Sequence, residues 1–248
     1  MKVSAWARTD TGRAREHNED SFLVNDSLGL YLVADGMGGH AGGEVASRLA
    51  VEVIERELLR RREESPETFA DPASDSVRDA FVQAVETASR EVFARSAAEP
   101  RLHGMGTTLT GLLLQGRTAW VAHVGDSRIY LMRGGQIRLL TEDHSLVHEQ
   151  MRAGLLTPEE ARHSHLRNII TRSVGFEARV PVDVLKEEVR EGDLFLLCSD
   201  GLSNLVDDEE MLEFAESHPP EQLPDVLVDL ANARGGDDNI TAVVVRVG

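Results

Sequence analysis

The run "TAWVAHVGDSRIYLMRGGQIRLLT" (residues 118–141) decides the fold class. It is rich in residues that favour strands, and Gly134 and Gly135 inside "RGGQ" have the form of a two-residue hairpin turn. So short a connection joins antiparallel neighbours, because a parallel pair needs a crossover of a dozen or more residues. Outward from it, further strand-like runs lie at "SFLVND" (21–26), "LGLYLVADG" (28–36), "GTTLTGLLLQG" (106–116), "DLFLLCSDG" (193–201) and "NITAVVVRVG" (239–248). Each is bounded by Gly, Asp or Asn. Asp26 and Ser27 read as the turn of a second hairpin.

Between these runs the period changes. Ala46, Leu49, Ala50, Val53, Ile54 and Leu58 recur at helical spacing in 43–62, and Val77, Phe81, Ala84, Val85, Ala88 and Val92 do so in 74–95. Each set forms one apolar stripe, so each helix packs one face on a sheet. "EESPETFADPAS" between them, with Pro66 and Pro72, reads as a loop, and two more helices are expected over 207–217 and 221–233. Segregated strands and helices imply an α+β fold, with sheets stacked on each other and covered by helices. No repeat or linker divides residues 1–248, which read as a single domain. The segment 142–181 is polar and irregular and holds four of the nine histidines. It reads as a flap near a site or as a surface excursion.

The formal net charge of −17 argues against a general nucleic-acid binder. A single cysteine, Cys198, permits no internal disulfide and fits a reducing compartment. "MKVSAWARTDTGRARE" lacks the apolar centre of a signal peptide, and no apolar run is long enough to span a bilayer. A cytoplasmic, monomeric protein is expected.

Asp35, Asp126, Asp200 and Asp238 each stand at the end of an apolar run or just before one. Asp is a common turn residue, so any one of them alone is ordinary. Four in this position invite another reading: clustered carboxylates repel unless a cation neutralises them, and Mn2+ or Mg2+ suits oxygen ligands. The glycine-rich turn "ADGMGGHAGGEV" (34–45) lacks the Lys-Ser/Thr ending of a P-loop and does not match the dinucleotide fingerprint. Cys198 has Asn204, not arginine, six residues on, and its apolar run implies burial. There is no CxxC or HExxH, and His144 and His148, four apart, read as part of a polar surface helix. In "RAREHNEDSF" (13–22) Arg15 precedes Glu19 and Asp20; beside metal-bridging carboxylates its guanidinium fork would suit phosphoryl oxygens.

In order, "REHNEDS" (15–21), "ADGMGGHAGGEVAS" (34–47), "GMGTTLTG" (104–111), "VGDSRIY" (124–130), "DHS" (143–145), "SDGL" (199–202) and "DDNIT" (237–241) resemble the motifs of the metal-dependent protein phosphatases. These are the type 2C serine/threonine phosphatases, and the resemblance is strongest to their bacterial branch. It covers nearly the whole chain. It implies two stacked antiparallel sheets flanked by helices, an αββα sandwich, with 159–175 inside the flap. It also implies roles: Asp35 bridging two metal ions, the Gly36 carbonyl on one of them, Asp200 and Asp238 on the other, and Asp20 beside them with Glu19 near. Asp126, with Asp200, would hold a third, weaker ion. Arg15 would bind the substrate phosphate, with Arg13 as its rival, and His40 would act either as a general acid or as a structural hydrogen-bonding residue.

The activity so implied is hydrolysis of phosphoserine and phosphothreonine in proteins by water activated at two Mn2+ or Mg2+ ions, opposing a bacterial serine/threonine kinase. The alternatives are a hydrolase of small phosphate esters, a non-catalytic binding module of the same fold, and a nucleotide-binding protein.

Overall fold

The computed structural model describes residues 2–38, 42–162 and 164–248, with all their side chains except those of Pro158 and Arg162. Its strands are β1 (Val3–Asp10), β2 (Asp20–Asn25), β3 (Leu30–Met37), β4 (Gly106–Thr107), β5 (Leu109–Gln115), β6 (Thr118–Val124), β7 (Arg128–Arg133), β8 (Gln136–Leu139), β9 (Asp183–Glu188), β10 (Leu194–Cys198) and β11 (Ile240–Val247). Its helices are α1 (Gly42–Glu64), α2 (Asp75–Ala98), α3 (Leu146–Arg152), α4 (Pro158–Arg162), α5 (Asp200–Ser203), α6 (Asp208–Ser217) and α7 (Leu223–Ala233).

One sheet runs β1-β11-β10-β7-β8, the other β2-β3-β5-β6-β9 with β4 beside β3. Every pairing between these strands is antiparallel. The period of two along each strand explains the layering. In β3, Tyr31 and Val33 point between the sheets, where Val121, Phe195, Leu197 and Val243 meet them. Leu30, Leu32 and Ala34 point the other way, into a core shared with α1 and α2. In β11 the same alternation sends Val243 and Val245 inward and Ala242 and Val244 outward, against α6 and α7. Both faces of both sheets are covered, so the central strands read as continuous apolar runs instead of alternating ones. The result is the expected αββα sandwich.

The sequence reading and the structure differ where a strand bends or lies at an edge. The run 118–141 is three strands; the Gly134–Gly135 turn joins β7 to β8 as expected, with Arg133 opposite Gln136. Gly125 to Ser127 carry the chain from one sheet to the other. The run 106–116 breaks at Thr108, whose hydroxyl and amide turn toward Asp35. The β2–β3 hairpin closes over residues 26–29, not over a two-residue turn. No strand was read in 3–10 or 183–188, yet both form sheet edges. The segment 142–181 contains α3 and α4, is closed on itself by the bridge Ser145–Ile170, and is tied to the rest through the bridge Thr107–Val174.

Candidate active site

Antiparallel order places the ends of six strands together. β2 begins where β3 ends, β10 ends where β11 begins, and the β6–β7 connection lies at that same end. Asp20 and Asp35 are direct cross-strand partners. Asp200 opens α5 just after β10, Asp238 lies just before β11, and Asp126 sits in the β6–β7 turn. Like charges directly opposite on a sheet destabilise it, so this placement needs a compensating charge.

The strand ends are held by hydroxyl and amide side chains. The Asp35 amide donates to Thr108 Oγ1 (2.9 Å), and its carbonyl accepts from the Thr108 amide (2.8 Å) and Thr107 Oγ1 (2.9 Å). Thr241 Oγ1 (2.6 Å) and Ser199 Oγ (2.8 Å) donate to Asp20 Oδ2. Asn239 fixes the 11–19 loop: its Oδ1 accepts from the Glu19 amide, and its Nδ2 donates to the carbonyls of Thr11 and His17. None of these positioning roles was read from the sequence, although each residue lies inside a quoted motif. The two adjacent threonines that interrupt a strand-like run were the available signal.

Gly36 and Gly43 explain the glycine-rich turn. A Cβ on Gly36 would lie 2.2 Å from the Gly43 carbonyl oxygen, and one on Gly43 would lie 2.3 Å from Glu19 Oε2. The glycines therefore let β3 and the start of α1 touch backbone to backbone.

Arg15 donates from Nη2 to Asp238 Oδ2 at 2.7 Å and also faces Glu19 and Asp35. Its side chain is 51% exposed, so a ligand can reach it. Arg13 instead lays its stem against Gly236 and faces Asp10. His40 lies outside the described residues, as does His163 of the flap segment. His144 is not part of a surface helix: it is buried, precedes α3, and bonds Gly125 and Asp183, whereas His148 lies on α3 and pairs with Glu142. Cys198 is buried under α6 and α7, and burial pushes its thiol up to about 12, which leaves it unreactive.

Burial pushes the Asp20 carboxyl up to about 7. Burial, then the charges of Asp20 and Asp200, raises Asp35 well above the carboxylate range; burial and Asp200 do the same to Asp126. Burial and Asp238 raise Asp200, whose carboxyl adjoins that of Asp35. Asp20 Oδ1, Asp126 Oδ1 and Asp200 Oδ1 are buried with no hydrogen-bond donor. A carboxylate oxygen can only accept, so a cation is the partner that fits all three. Among the described residues no three His, Cys, Asp or Glu side chains already form an ion cage. Mn2+ and Mg2+ do not require one, because Mg2+-like sites keep several waters and take one or two carboxylates each. A groove of about 500 Å3 opens beside Asp126 and Asp200, between α3–α4 and the start of α6.

The sequence model of the protein phosphatase 2C family matches residues 11–229. The serine/threonine phosphatase stp of Listeria monocytogenes is 39% identical over 248 residues, covering 98% of this chain and 96% of that protein. The serine/threonine protein phosphatase PstP of Mycobacterium tuberculosis is 41% identical over 244 residues, covering 97% of this chain and 44% of that protein. Among solved structures, the catalytic domain of PstP in complex with two manganese ions superposes with a TM-score of 0.86 at 36% identity, covering 99% of both chains.

Proposed function

The chain belongs to the protein phosphatase 2C family, and we propose that it is a metal-dependent phosphatase that removes phosphate from phosphoserine and phosphothreonine in proteins. Residues 1–248 act as one catalytic domain, with 142–181 as its flap. Its substrates are phosphoproteins, and it opposes a serine/threonine kinase in the cytoplasm, as a monomer. No helix among the described residues is long and apolar enough to cross a membrane.

In this reading Asp20, Asp35, the Gly36 carbonyl, Asp200 and Asp238 hold two Mn2+ or Mg2+ ions, and Asp126 with Asp200 holds a weaker third. Such ions, when bound, supply the positive charge that makes water nucleophilic at neutral pH and offsets charge on the phosphoryl group. The chain's own work is placement. Thr107 and Thr108 fix the Asp35 backbone, so its carboxylate meets the ions without rearranging. Asn239 fixes the loop that carries Arg15, whose exposed fork receives the non-reacting phosphate oxygens. His40 is kept as the candidate proton donor to the departing serine or threonine oxygen.

The observation that carries this reading is the set of three buried, donorless carboxylate oxygens at one strand-end cluster. The test is hydrolysis of a phosphothreonine peptide and of a small aryl phosphate, with Mn2+ and with chelator. The peptide is expected to be turned over with Mn2+ only, and far better than the aryl ester. Asp35→Asn is expected to lose about 100–1,000-fold in kcat, the scale on which removing one well-placed electrostatic group acts. Near-full activity of that variant at saturating Mn2+ would overturn the two-ion reading.

A further inference from the structure

His144 is 7% exposed and touches no carboxylate of the strand-end cluster. It holds the turn that carries one of them. The Gly125 amide donates to His144 Nδ1 at 3.0 Å, and the His144 amide donates to the Gly125 carbonyl at 2.7 Å. Because Nδ1 accepts, the ring proton resides on Nε2, which donates to Asp183 Oδ2 at 3.0 Å. Gly125 has φ +110°, and a Cβ there would lie 2.6 Å from Thr108 Cγ2, so this backbone conformation and this approach to Thr108 both require glycine. The next residue is Asp126, 7% exposed, with Oδ1 unpartnered.

The other side of His144 leads to the flap. Asp183 Oδ1 accepts from Arg172 Nη1 at 2.7 Å. The Thr171 amide donates to the His144 carbonyl, and the Leu146 amide donates to the Ile169 carbonyl, both at 2.8 Å. Residues 169–172 at the base of the flap are thus joined to the Asp126 turn both through the backbone of 144–146 and through the chain Arg172–Asp183–His144–Gly125. The His123 ring, 4.8 Å away, closes the remaining side of the imidazole.

We propose that His144 is the positioning residue for Asp126, and that Asp183 and Arg172 make the set of that carboxylate depend on where the flap base is docked. The inference rests on Asp126 being a ligand of the third ion. A group that orients a ligand from behind commonly changes metal affinity by 10–100-fold when it is removed, without touching the ion.

Two amides divide the imidazole's work. Asparagine places its oxygen where Nδ1 lies and keeps the Gly125 bond. Glutamine places its nitrogen where Nε2 lies and keeps the Asp183 bond alone. The experiment is calorimetric titration of the full chain with Mn2+, backed by an unfolding curve. The wild type is expected to take two ions tightly and a third weakly. His144→Gln is expected to keep the tight pair and bind the third about 10-fold or more weakly. His144→Asn, which keeps the Gly125 bond but loses Asp183, is expected to weaken the third only several-fold, less than His144→Gln does. Arg172→Met, at the far end of the chain, is expected to weaken the third ion several-fold while leaving the tight pair unchanged.

Wild-type affinity for the third ion in His144→Gln, or equal losses in the Gln and Asn variants, overturns the positioning role. Wild-type affinity in Arg172→Met overturns the link to the flap. A wild type that takes up two ions only overturns the ligand role of Asp126 and this inference with it, whereas loss of all Mn2+-dependent phosphopeptide hydrolysis in the wild type overturns the proposed function itself.

Discussion

Under the proposed function Arg15 would serve two partners, not both at once. In this structure its guanidinium lies on Asp238 Oδ2 at 2.7 Å, where it offsets part of the crowded negative charge. A cation on Asp238 would take over that charge, and the half-exposed fork is then available to a phosphate. If Arg15 binds the phosphate as proposed, Arg15→Ala removes a substrate contact and a competitor for Asp238 together. KM for a phosphopeptide is expected to rise about 10-fold or more, with kcat changed less and Mn2+ affinity equal or slightly higher. Steady-state kinetics and a Mn2+ titration check both parts. A variant that loses Mn2+ affinity instead would make Arg15 structural. That Asp35, Asp126, Asp200 and Asp238 meet at one end of the sheets was legible because each stands at the end of an apolar run or just before one. Thr108 and Asn239 were not, because their partners are backbone groups far along the chain, 73 residues away for the Asp35 amide and 228 for the Thr11 carbonyl. Sequence spacing carries no record of such pairs.

At the scale of elements, the contact between β3 and α1 decides whether the cluster is in register. The Gly36 amide donates to the Glu19 carbonyl at 3.1 Å, and Ser47 Oγ of α1 donates to the same carbonyl at 2.6 Å. The start of the helix thus locks the strand pair that sets Asp20 opposite Asp35. Gly43→Ala inserts a methyl 2.3 Å from Glu19 Oε2 and 2.8 Å from the Gly36 carbonyl carbon. The helix must back away, and a cost of about 1–3 kcal/mol is expected, the range for forcing an extra methyl into a packed contact. A denaturant midpoint measures it, and Mn2+-dependent turnover should fall with it because Gly36 and Glu19 move. An unchanged midpoint would mean that the contact has slack. The two long helices were legible from their stripes, and every apolar position named for α2 is buried. β1 and β9 were not. They are edge strands whose residues are at best half-buried over most of their length, so hydrophobicity barely marks them. The breaks at Thr108 and Gly125 were missed because strand propensity does not register a bend made for a site.

The whole molecule gathers carboxylates of both sheets at one end of the sandwich, and this couples stability to pH and to ions. Asp20 titrates at about 7 in the folded chain and near 4 in an unfolded one. The folded state therefore holds a proton that the unfolded state has lost across that interval, and burial acts in the same direction on Asp35, Asp126 and Asp200. A group whose folded pKa is raised in this way costs stability as pH climbs from about 4 to about 7, and the full cost persists above. Ion-free protein is thus expected to melt at a higher temperature near pH 6 than near pH 8. The overall charge of −17 pushes the same way, since a lower pH relieves self-repulsion. The two causes separate when Mn2+ is added. The ions bind ionised carboxylates and stabilise by mass action, so the rise in melting temperature on adding Mn2+ should be larger near pH 8 than near pH 6. Surface charge contributes almost equally to the curves with and without Mn2+ and drops out of that difference. Melting curves in chelator and in excess Mn2+ at the two pH values give the four numbers required. An Mn2+ increment that does not change between them would mean that the buried aspartates are already ionised in the ion-free fold, held by the threonine and serine hydroxyls alone.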